Sequence, residues 1–389
     1  MLKKQVSSAI IIVLCLFLFP TIISANTNEQ LELYSEAAIL IDAQSGQVIY
    51  EKNSQEKLPP ASITKIATAI YAIENGNLDD IVTVSENARS AEGTKVYLEA
   101  GEQVPLLKLV QGLLINSGND AGVAIAEHLS GSVDEFVVDF NRYLEEVIGV
   151  ENTHFTNPHG LYDPDHVTTA EDMAKITQYA MKNETFREIF STKELPWDGE
   201  TWDTTLINHH VMVRDGSYEG VTGGKNGFVT EAGFTLVTTA NQENISLIAV
   251  TMKTMYDNQV YEDTTKLFNY GFQHYETDTI DMNSQFVDSE DNQYKTAEDI
   301  YYTKKIGEIV EEDVTNSGKL VIKGEDGRKL VEKKLELVTN KEKDKQQIKN
   351  ETIYQTDDNR EQHLRIIIPI SLFISFLIAA FFFKQTRKI

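Results

Sequence analysis

Cysteine is almost missing from this 389-residue chain, which has one, Cys15. A single thiol excludes a disulfide framework and any multi-cysteine metal centre. Basic residues are also scarce: 35 Lys and Arg stand against 60 Asp and Glu, a formal net charge of −25. Phosphate binding needs a basic face, so nucleic acid is excluded as a partner. Charge-driven attachment to anionic lipid is excluded with it. The eight histidines make no ligand framework. His154 and His159 are five apart, His209 and His210 are adjacent, and neither pair has the H-E-x-x-H spacing. No metal and no cofactor is expected. Internal repeats are absent as well. Apolar residues are not lacking: they make up 41% of the chain, enough for real cores, and the length suggests two or more domains.

The ends differ from the middle. Lys3-Lys4, an apolar stretch from Ala9 to Phe19, Pro20 and small residues around Ser24-Ala25 follow the order of a secretory signal peptide, 1–25, cut after Ala25. Cys15 falls within its apolar stretch, which would leave the mature chain without a thiol. At the other end, 366–383 is an uncharged run of 18 residues followed by Lys384, Arg387 and Lys388. A helix of that length covers about 27 Å, close to the hydrocarbon thickness of a bilayer. A basic tail at 384–389 belongs on the cytoplasmic side, so the expectation is a single-pass membrane protein with its body facing outward. Both ends are purely basic, which leaves 30 basic against 60 acidic groups in 26–365, a charge of −30 for that body. Attachment then falls to the apolar helix and not to charge.

Between the ends, Ala37–Asp42 and Gln47–Lys52 read as a hairpin around Ala43-Gln44-Ser45-Gly46. After Pro59-Pro60, Ile63, Ile66, Ala67, Ile70 and Ile73 recur at helical spacing, predicting a helix over 62–74 that ends near Gly76 as a C′ residue. Residues 105–115 and 119–129 read as two more helices, and Gly233–Ala240 with Ile245–Lys253 as paired strands. Helices among hairpins predict an α+β domain with a largely antiparallel sheet over 32–272. A small β-rich domain follows at 275–338, with strands at Leu320–Lys323 and Lys329–Val338, and then a polar stalk at 339–365. Trp197 and Trp202 fall in a loop-like stretch where they are expected to pack on the surface or touch glycan. The N-x-S/T triplets at Asn183, Asn244 and Asn350 are read as chance.

Three short signatures stand in order. Ser62-Ile63-Thr64-Lys65 opens a helix, Ser117-Gly118-Asn119 separates two helices, and Lys225-Asn226-Gly227 lies on a strand. The i, i+3 spacing places Lys65 on the same helical face as Ser62. A serine hydroxyl needs an adjacent base to act as nucleophile, and a desolvated or charge-crowded lysine can be one. Backbone N–H groups at a helix start suit a developing oxyanion. Ser117 can relay a proton, Asn119 can donate to a substrate amide, and Lys225 adds positive charge suited to a carboxylate. Each signature alone reads equally as a cap or a turn. Their order together does not.

The set S-x-x-K, S-x-N, K-x-G is that of penicillin-binding proteins and class A β-lactamases. With Pro60-Ala61-Ser62-Ile63-Thr64-Lys65, Asn116-Ser117-Gly118-Asn119-Asp120-Ala121, Asn157-Pro158-His159-Gly160-Leu161 and Gly224-Lys225-Asn226-Gly227-Phe228, the chain resembles the D-alanyl-D-alanine carboxypeptidases of bacterial cell walls. The resemblance covers 32–272. It implies the β-lactamase/DD-peptidase-like fold and a two-step acyl transfer on peptidoglycan stem peptides ending in D-Ala-D-Ala, inhibited by β-lactams. Ser62 would be the nucleophile, Lys65 the general base and Ser117 the proton relay. Asn119 would hold the substrate amide, while Lys225, Asn226 and Gly227 would bind the terminal carboxylate. The backbone N–H groups of Ser62 and Phe228 would form the oxyanion hole. His159 would pack near the site and not catalyse.

Two positions depart from the family pattern. Asn226 replaces the usual threonine, though an amide can also donate. His210 of Asn208-His209-His210 stands where relatives carry a second Asn. The rival readings are a catalytically impaired wall-sensing protein, for which Asn226 argues, and a β-lactamase. The latter lacks the expected E-x-x-L-N deacylation segment between Asn119 and Lys225.

Overall fold

The computed structural model describes residues 31–338. The signal peptide, the stalk, the apolar run at 366–383 and the basic tail lie outside these residues. Among the described residues no helix is long and apolar enough to cross a membrane.

The centre is a five-stranded antiparallel sheet. Its strands are β1 (Ala37–Asp42), β2 (Val48–Lys52), β3 (Val221–Val229), β4 (Gly233–Gln242) and β5 (Ile245–Thr254), in the order β2-β1-β5-β4-β3. Side chains alternate across a strand, and both faces are covered. Ile39 and Ile41 enter the main core with Val237, Ile248 and Val250. Ala38 and Leu40 face a second core with Leu247, Ala249 and Phe268. The long helix Asp257–His274 supplies Phe268 to the second face. The β4–β5 turn is tighter than the sequence suggests, because Gln242 pairs directly with Ile245.

Helix α1 (Thr64–Asn75) runs through the main core. Its apolar spacing predicts one buried face, yet every residue from Thr64 to Ala72 is buried. The polar stripe stays dry because each member has a partner. Thr64 donates to the Ala61 carbonyl at 2.8 Å, Lys65 to Ser62 Oγ at 2.9 Å, and Thr68 to the Pro158 carbonyl at 2.7 Å. The helix stops at Gly76, but not in the left-handed conformation expected of a C′ glycine: its φ is −107°. Glycine is needed there for space, since a Cβ would lie 2.4 Å from Leu106 Cδ2 and 2.9 Å from the Ala72 carbonyl. Helices α2 (Leu106–Ile115), α3 (Asn119–Ser130) and α4 (Val133–Tyr143) pack on α1 to form a largely helical lobe, which also carries a two-stranded ladder of Ile81–Thr83 with Gln103–Pro105.

Residues 275–338 form short antiparallel sheets around Ile280, Tyr294, Tyr302, Leu320 and Ile322. The strand expected over Lys329–Val338 divides into Lys329–Lys334 and Glu336–Leu337, which pair in different sheets. Trp197 lies in the hairpin strand Glu194–Asp198, not in a loop, and is only 2% exposed. Its ring lies beneath Lys108 Nζ, 4.8 Å from the centroid, so it is packing and offers no surface to glycan. Trp202 is half-buried against Tyr97.

A buried carboxylate joins the β-rich unit to the sheet. Asp42 Oδ2 accepts from Thr277 Oγ1 at 2.7 Å and Thr303 Oγ1 at 2.8 Å, while Oδ1 accepts from the Gln44 N–H at 2.8 Å. Ser45 Oγ lies 2.6 Å from Thr303 Oγ1, and Gln47 accepts from the Thr303 N–H. Leaving these donors unpaired costs about 1–3 kcal/mol. Asp42→Ala is therefore expected to lower the melting temperature and speed protease cleavage around 272–280. Wild-type melting and cleavage would show that the joint does not depend on this carboxylate.

Candidate active site

Ser62 sits in a single 3-10 turn, Ala61–Ile63, that leads directly into α1. The turn is strained: Ala61 has φ +53°. Two threonines hold its carbonyls, Thr235 Oγ1 on Pro60 at 2.8 Å and Thr64 Oγ1 on Ala61 at 2.8 Å. Gly160, at φ +87°, packs so closely that a Cβ there would lie 1.8 Å from the Ala61 oxygen. One turn on, Lys65 Nζ donates to Ser62 Oγ at 2.9 Å and to the His159 carbonyl at 2.6 Å. Lys65 is fully buried. Desolvation holds its amine well below the ordinary lysine range, Lys225 pushes the same way, and Asp120 opposes both. An uncharged amine can take the Ser62 proton.

Lys225 comes from the middle of β3 and is 2% exposed. Its Nζ donates to the Asn226 carbonyl at 2.9 Å, and burial pushes its pKa down to about 7. The glycines on either side are required by close approach. A Cβ on Gly224 would enter the His210 ring at 2.4 Å, and one on Gly227 would lie 2.7 Å from the Ser62 nitrogen and 2.6 Å from Thr235 Oγ1. The strand edge therefore lies against the start of the Ser62 turn, where helix geometry leaves N–H groups without intrahelical partners. Phe228 is exposed, and its ring packs on Phe234 with centroids 4.5 Å apart and planes tilted by 35°.

The third wall is the Ser117-Gly118-Asn119 turn. Ser117 is buried with φ +62° and makes no hydrogen bond to Ser62 or Lys65 among the described residues. Asn119, expected to donate to a substrate amide, also fastens the neighbouring loop. Its Nδ2 donates to the Glu92 carbonyl at 2.7 Å, while its Oδ1 is buried without a partner. Two oxygens cannot bond each other, so this orientation is forced; it leaves Oδ1 as an acceptor and a second N–H on Nδ2. Asp120, in the first turn of α3, turns away from the helix to bind the Val96 N–H at 3.0 Å and the Leu98 N–H at 3.2 Å. Burial raises its pKa, and these backbone donors lower it again. The loop so gripped carries Tyr97 at φ +57°.

The loop Asn157–Leu161 closes the floor. Asn157 Oδ1 accepts from the Gly160 N–H at 2.7 Å and its Nδ2 donates to the Leu161 carbonyl at 2.9 Å, which aims the His159 carbonyl at Lys65. Burial, then Lys65 and His166, push the His159 ring down to about 3. His210 takes the N-cap of the short helix Val211–Asp215, accepting from the Val213 N–H at 3.3 Å, and lies 2.8 Å from Thr238 Oγ1. Burial and Lys225 push it down to about 3, so it is a neutral packing and capping group in place of an asparagine. His209 keeps solvent access, while desolvation of its ring by the surrounding protein, then Lys225, Arg214 and Lys65, lower its pKa to about 4.

Ser62, Lys65 and Gly227 thus meet at one point, with Lys225 and, just after the Ser117–Asn119 turn, Asp120 close enough to act on the Lys65 charge. Sequence reasoning missed Asp120 as the clamp of the neighbouring loop and Thr64, Thr235 and His166 as supports of the turn. An acid in a helix's first turn reads as a dipole partner, and the supporting threonines meet only through the fold.

A serine and a buried lysine at the start of a helix, facing a Lys-x-Gly strand and a largely helical lobe, define the serine DD-peptidase class. Residues 24–255 match the peptidase S11 family, described as D-alanyl-D-alanine carboxypeptidase, and the chain belongs to that family. It is 34% identical over 298 residues to D-alanyl-D-alanine carboxypeptidase DacF of Bacillus subtilis (strain 168), covering 74% of this chain and 75% of the relative. It is also 34% identical over 287 residues to DacC of Escherichia coli (strain K12), covering 70% of each. Penicillin binding protein 5 of Haemophilus influenzae superposes with a TM-score of 0.71 at 26% identity, covering 79% of this chain and 98% of that one. The chain is a serine peptidase of the α+β DD-peptidase fold.

The contact at Gly227 gives a direct test. Gly227→Ala is expected to slow acylation of the protein by a β-lactam on the order of a hundredfold, the loss typical of a disturbed oxyanion site. Stopped-flow acylation at the wild-type rate would show that the strand yields without disturbing the turn. Lys65→Met is expected to abolish acylation while raising the melting temperature by a few degrees, because a buried amine is exchanged for an apolar chain. A fall in melting temperature would contradict that.

Proposed function

We propose that the site removes the terminal D-alanine from peptidoglycan stem peptides, with Ser62 as nucleophile. The observation that carries this is the 2.9 Å bond between Ser62 Oγ and the amine of a fully buried Lys65. Neutral Lys65 takes the Ser62 proton as Oγ bonds to the carbonyl carbon between the two D-alanines. The oxyanion is held by the N–H groups of Ser62 and Phe228. The proton passes from Lys65, by way of the Ser117 hydroxyl, to the leaving nitrogen as the C–N bond breaks. Water then attacks the ester, and Ser62 regains its proton. Asn119 Oδ1 accepts from a substrate amide N–H, and Lys225, with the Asn226 side chain, binds the terminal carboxylate.

A β-lactam offers the same carbonyl and carboxylate, so it acylates Ser62. Its release needs a base for water, and Asp120 is unsuited because its oxygens already accept from Val96, Leu98 and Ala121. This favours a peptidase over a β-lactamase. We assign 32–272 to the catalytic domain and 275–338 to an accessory β domain. The uncharged run at 366–383 supports a single-pass anchor that holds the body outside the cell.

Fluorescent penicillin is expected to label wild type and not Ser62→Ala, and wild type is expected to release D-alanine from a pentapeptide. Labelling without release would instead support a wall sensor. The pH profile adds a second test. Lys225 loses its charge as pH rises through about 7, so kcat/KM falls above that pH. A bound carboxylate favours the charged form, so the alkaline limb of kcat lies at higher pH. Below the pKa of Lys65 that amine is protonated and both parameters fall. A flat kcat/KM from pH 7 to 9 would exclude the Lys225 charge as the carboxylate anchor.

A further inference from the structure

His166 belongs to none of the three signatures and is 1% exposed. Its ring stacks on Phe155, with centroids 4.8 Å apart and planes at 20°. The two nitrogens have different duties. Nδ1 accepts from the Thr156 N–H at 3.0 Å, and Thr156 Oγ1 lies 3.3 Å from the same atom. A backbone N–H can only donate, so Nδ1 carries no proton, and the ring proton is on Nε2. Nε2 lies 2.9 Å from Thr64 Oγ1, and that hydroxyl donates to the Ala61 carbonyl at 2.8 Å. The series runs one way, from Thr156 through His166 and Thr64 to the residue before Ser62. It ends on the one residue of the turn held at positive φ, where Gly160 presses from the other side.

We propose that His166 is a positioning residue for the nucleophile: its Nε2–H tautomer orients the Thr64 hydroxyl, which fixes the left-handed turn at Ala61 and with it the direction of Ser62 Oγ. This rests on the reading of Ser62 as nucleophile. A second proton on His166 would set an N–H at Nδ1 against the Thr156 N–H and break the series. Burial opposes that proton, as do His154, bridged to the neighbouring strand segment, and Lys65 of α1, and together they hold the ring near 3. The His159 ring, which feels the His166 charge in turn, is held near 3 as well. The series therefore persists across the working pH range.

Thr64→Val keeps the side-chain shape and removes the hydroxyl, while Thr64→Ser keeps the hydroxyl. A displacement of about 1 Å at a reacting group can cost on the order of a hundredfold in rate. Thr64→Val is therefore expected to slow penicillin acylation of Ser62 by about 10- to 100-fold, with the initial non-covalent binding constant unchanged and Thr64→Ser close to wild type. Adding His166→Ala to Thr64→Val should cause little further loss, because both act through one series. Independent of any variant, 15N NMR of the wild-type protein should show His166 neutral, protonated on Nε2, from pH 5 to 8. Wild-type acylation in folded Thr64→Val, multiplied losses in the double variant, an Nδ1–H tautomer or a titration near pH 6.5 would each overturn the proposal. Absence of Ser62-dependent labelling in wild type would instead remove the nucleophile assignment itself.

Discussion

The structure depends on keeping one amine dry. Lys65 lies fully inside the protein and its hydrogen bonds go to a serine hydroxyl and a backbone carbonyl. An ammonium in that place would be costly, so the fold favours the neutral form and thereby makes a base of a group that is an acid in water. The surrounding features follow from this. α1 must be buried on its polar as well as its apolar side, which requires a helical lobe on one flank and a sheet on the other. Lys225 must stand close enough to add repulsion, which places β3 against the Ser62 turn and leaves room only for glycine at Gly227. Asp120, the nearby acid, is tied to backbone donors and cannot approach as a counter-ion.

Strain gathers around the same point. Ala61, Tyr97 and Ser117 are non-glycine residues at positive φ, and each belongs to a segment that borders the cleft. Such residues cost about 1–3 kcal/mol each and persist where the surroundings over-determine them. Here the determinants are visible: threonine hydroxyls and Gly160 for Ala61, and the Asp120 carboxylate for the loop of Tyr97. The walls of the cleft are tied to one another, the loop of Glu92 to Asn119 and the loop of His159 to Lys65.

Much of this was legible in the sequence because it is local. The Ala37–Asp42 hairpin, the helices flanking Ser117 and the paired strands after Gly233 follow from periodicity and turn residues within a short window. The contact between Ser62 and Lys65 follows from helical spacing alone. What was not legible depends on distant partners. Gly76 looked like a left-handed cap and is instead a spacer against Leu106, thirty residues away. Trp197 looked exposed because its stretch reads as a loop, yet a strand turns it beneath Lys108. Asn119 was expected to donate to substrate, and only the fold shows that its amide also fastens the loop of Glu92. His210 looked like a lost asparagine, while the fold uses it to cap a helix and to fill the space left by Gly224.

The joint at Asp42 has a mechanical meaning for an enzyme whose substrate is part of an insoluble polymer. Such a substrate cannot diffuse to the cleft, so the cleft must be held where the substrate is. Through Thr277 and Thr303 the β-rich unit is fastened to the end of the first strand of the central sheet, and the chain leaves that unit at its far end in sequence. A pull on the β-rich unit is therefore passed through two threonine hydroxyls and one carboxylate to the end of the first strand of the central sheet. The sheet that carries Lys225 and the unit that carries Thr277 and Thr303 thus answer to the same load.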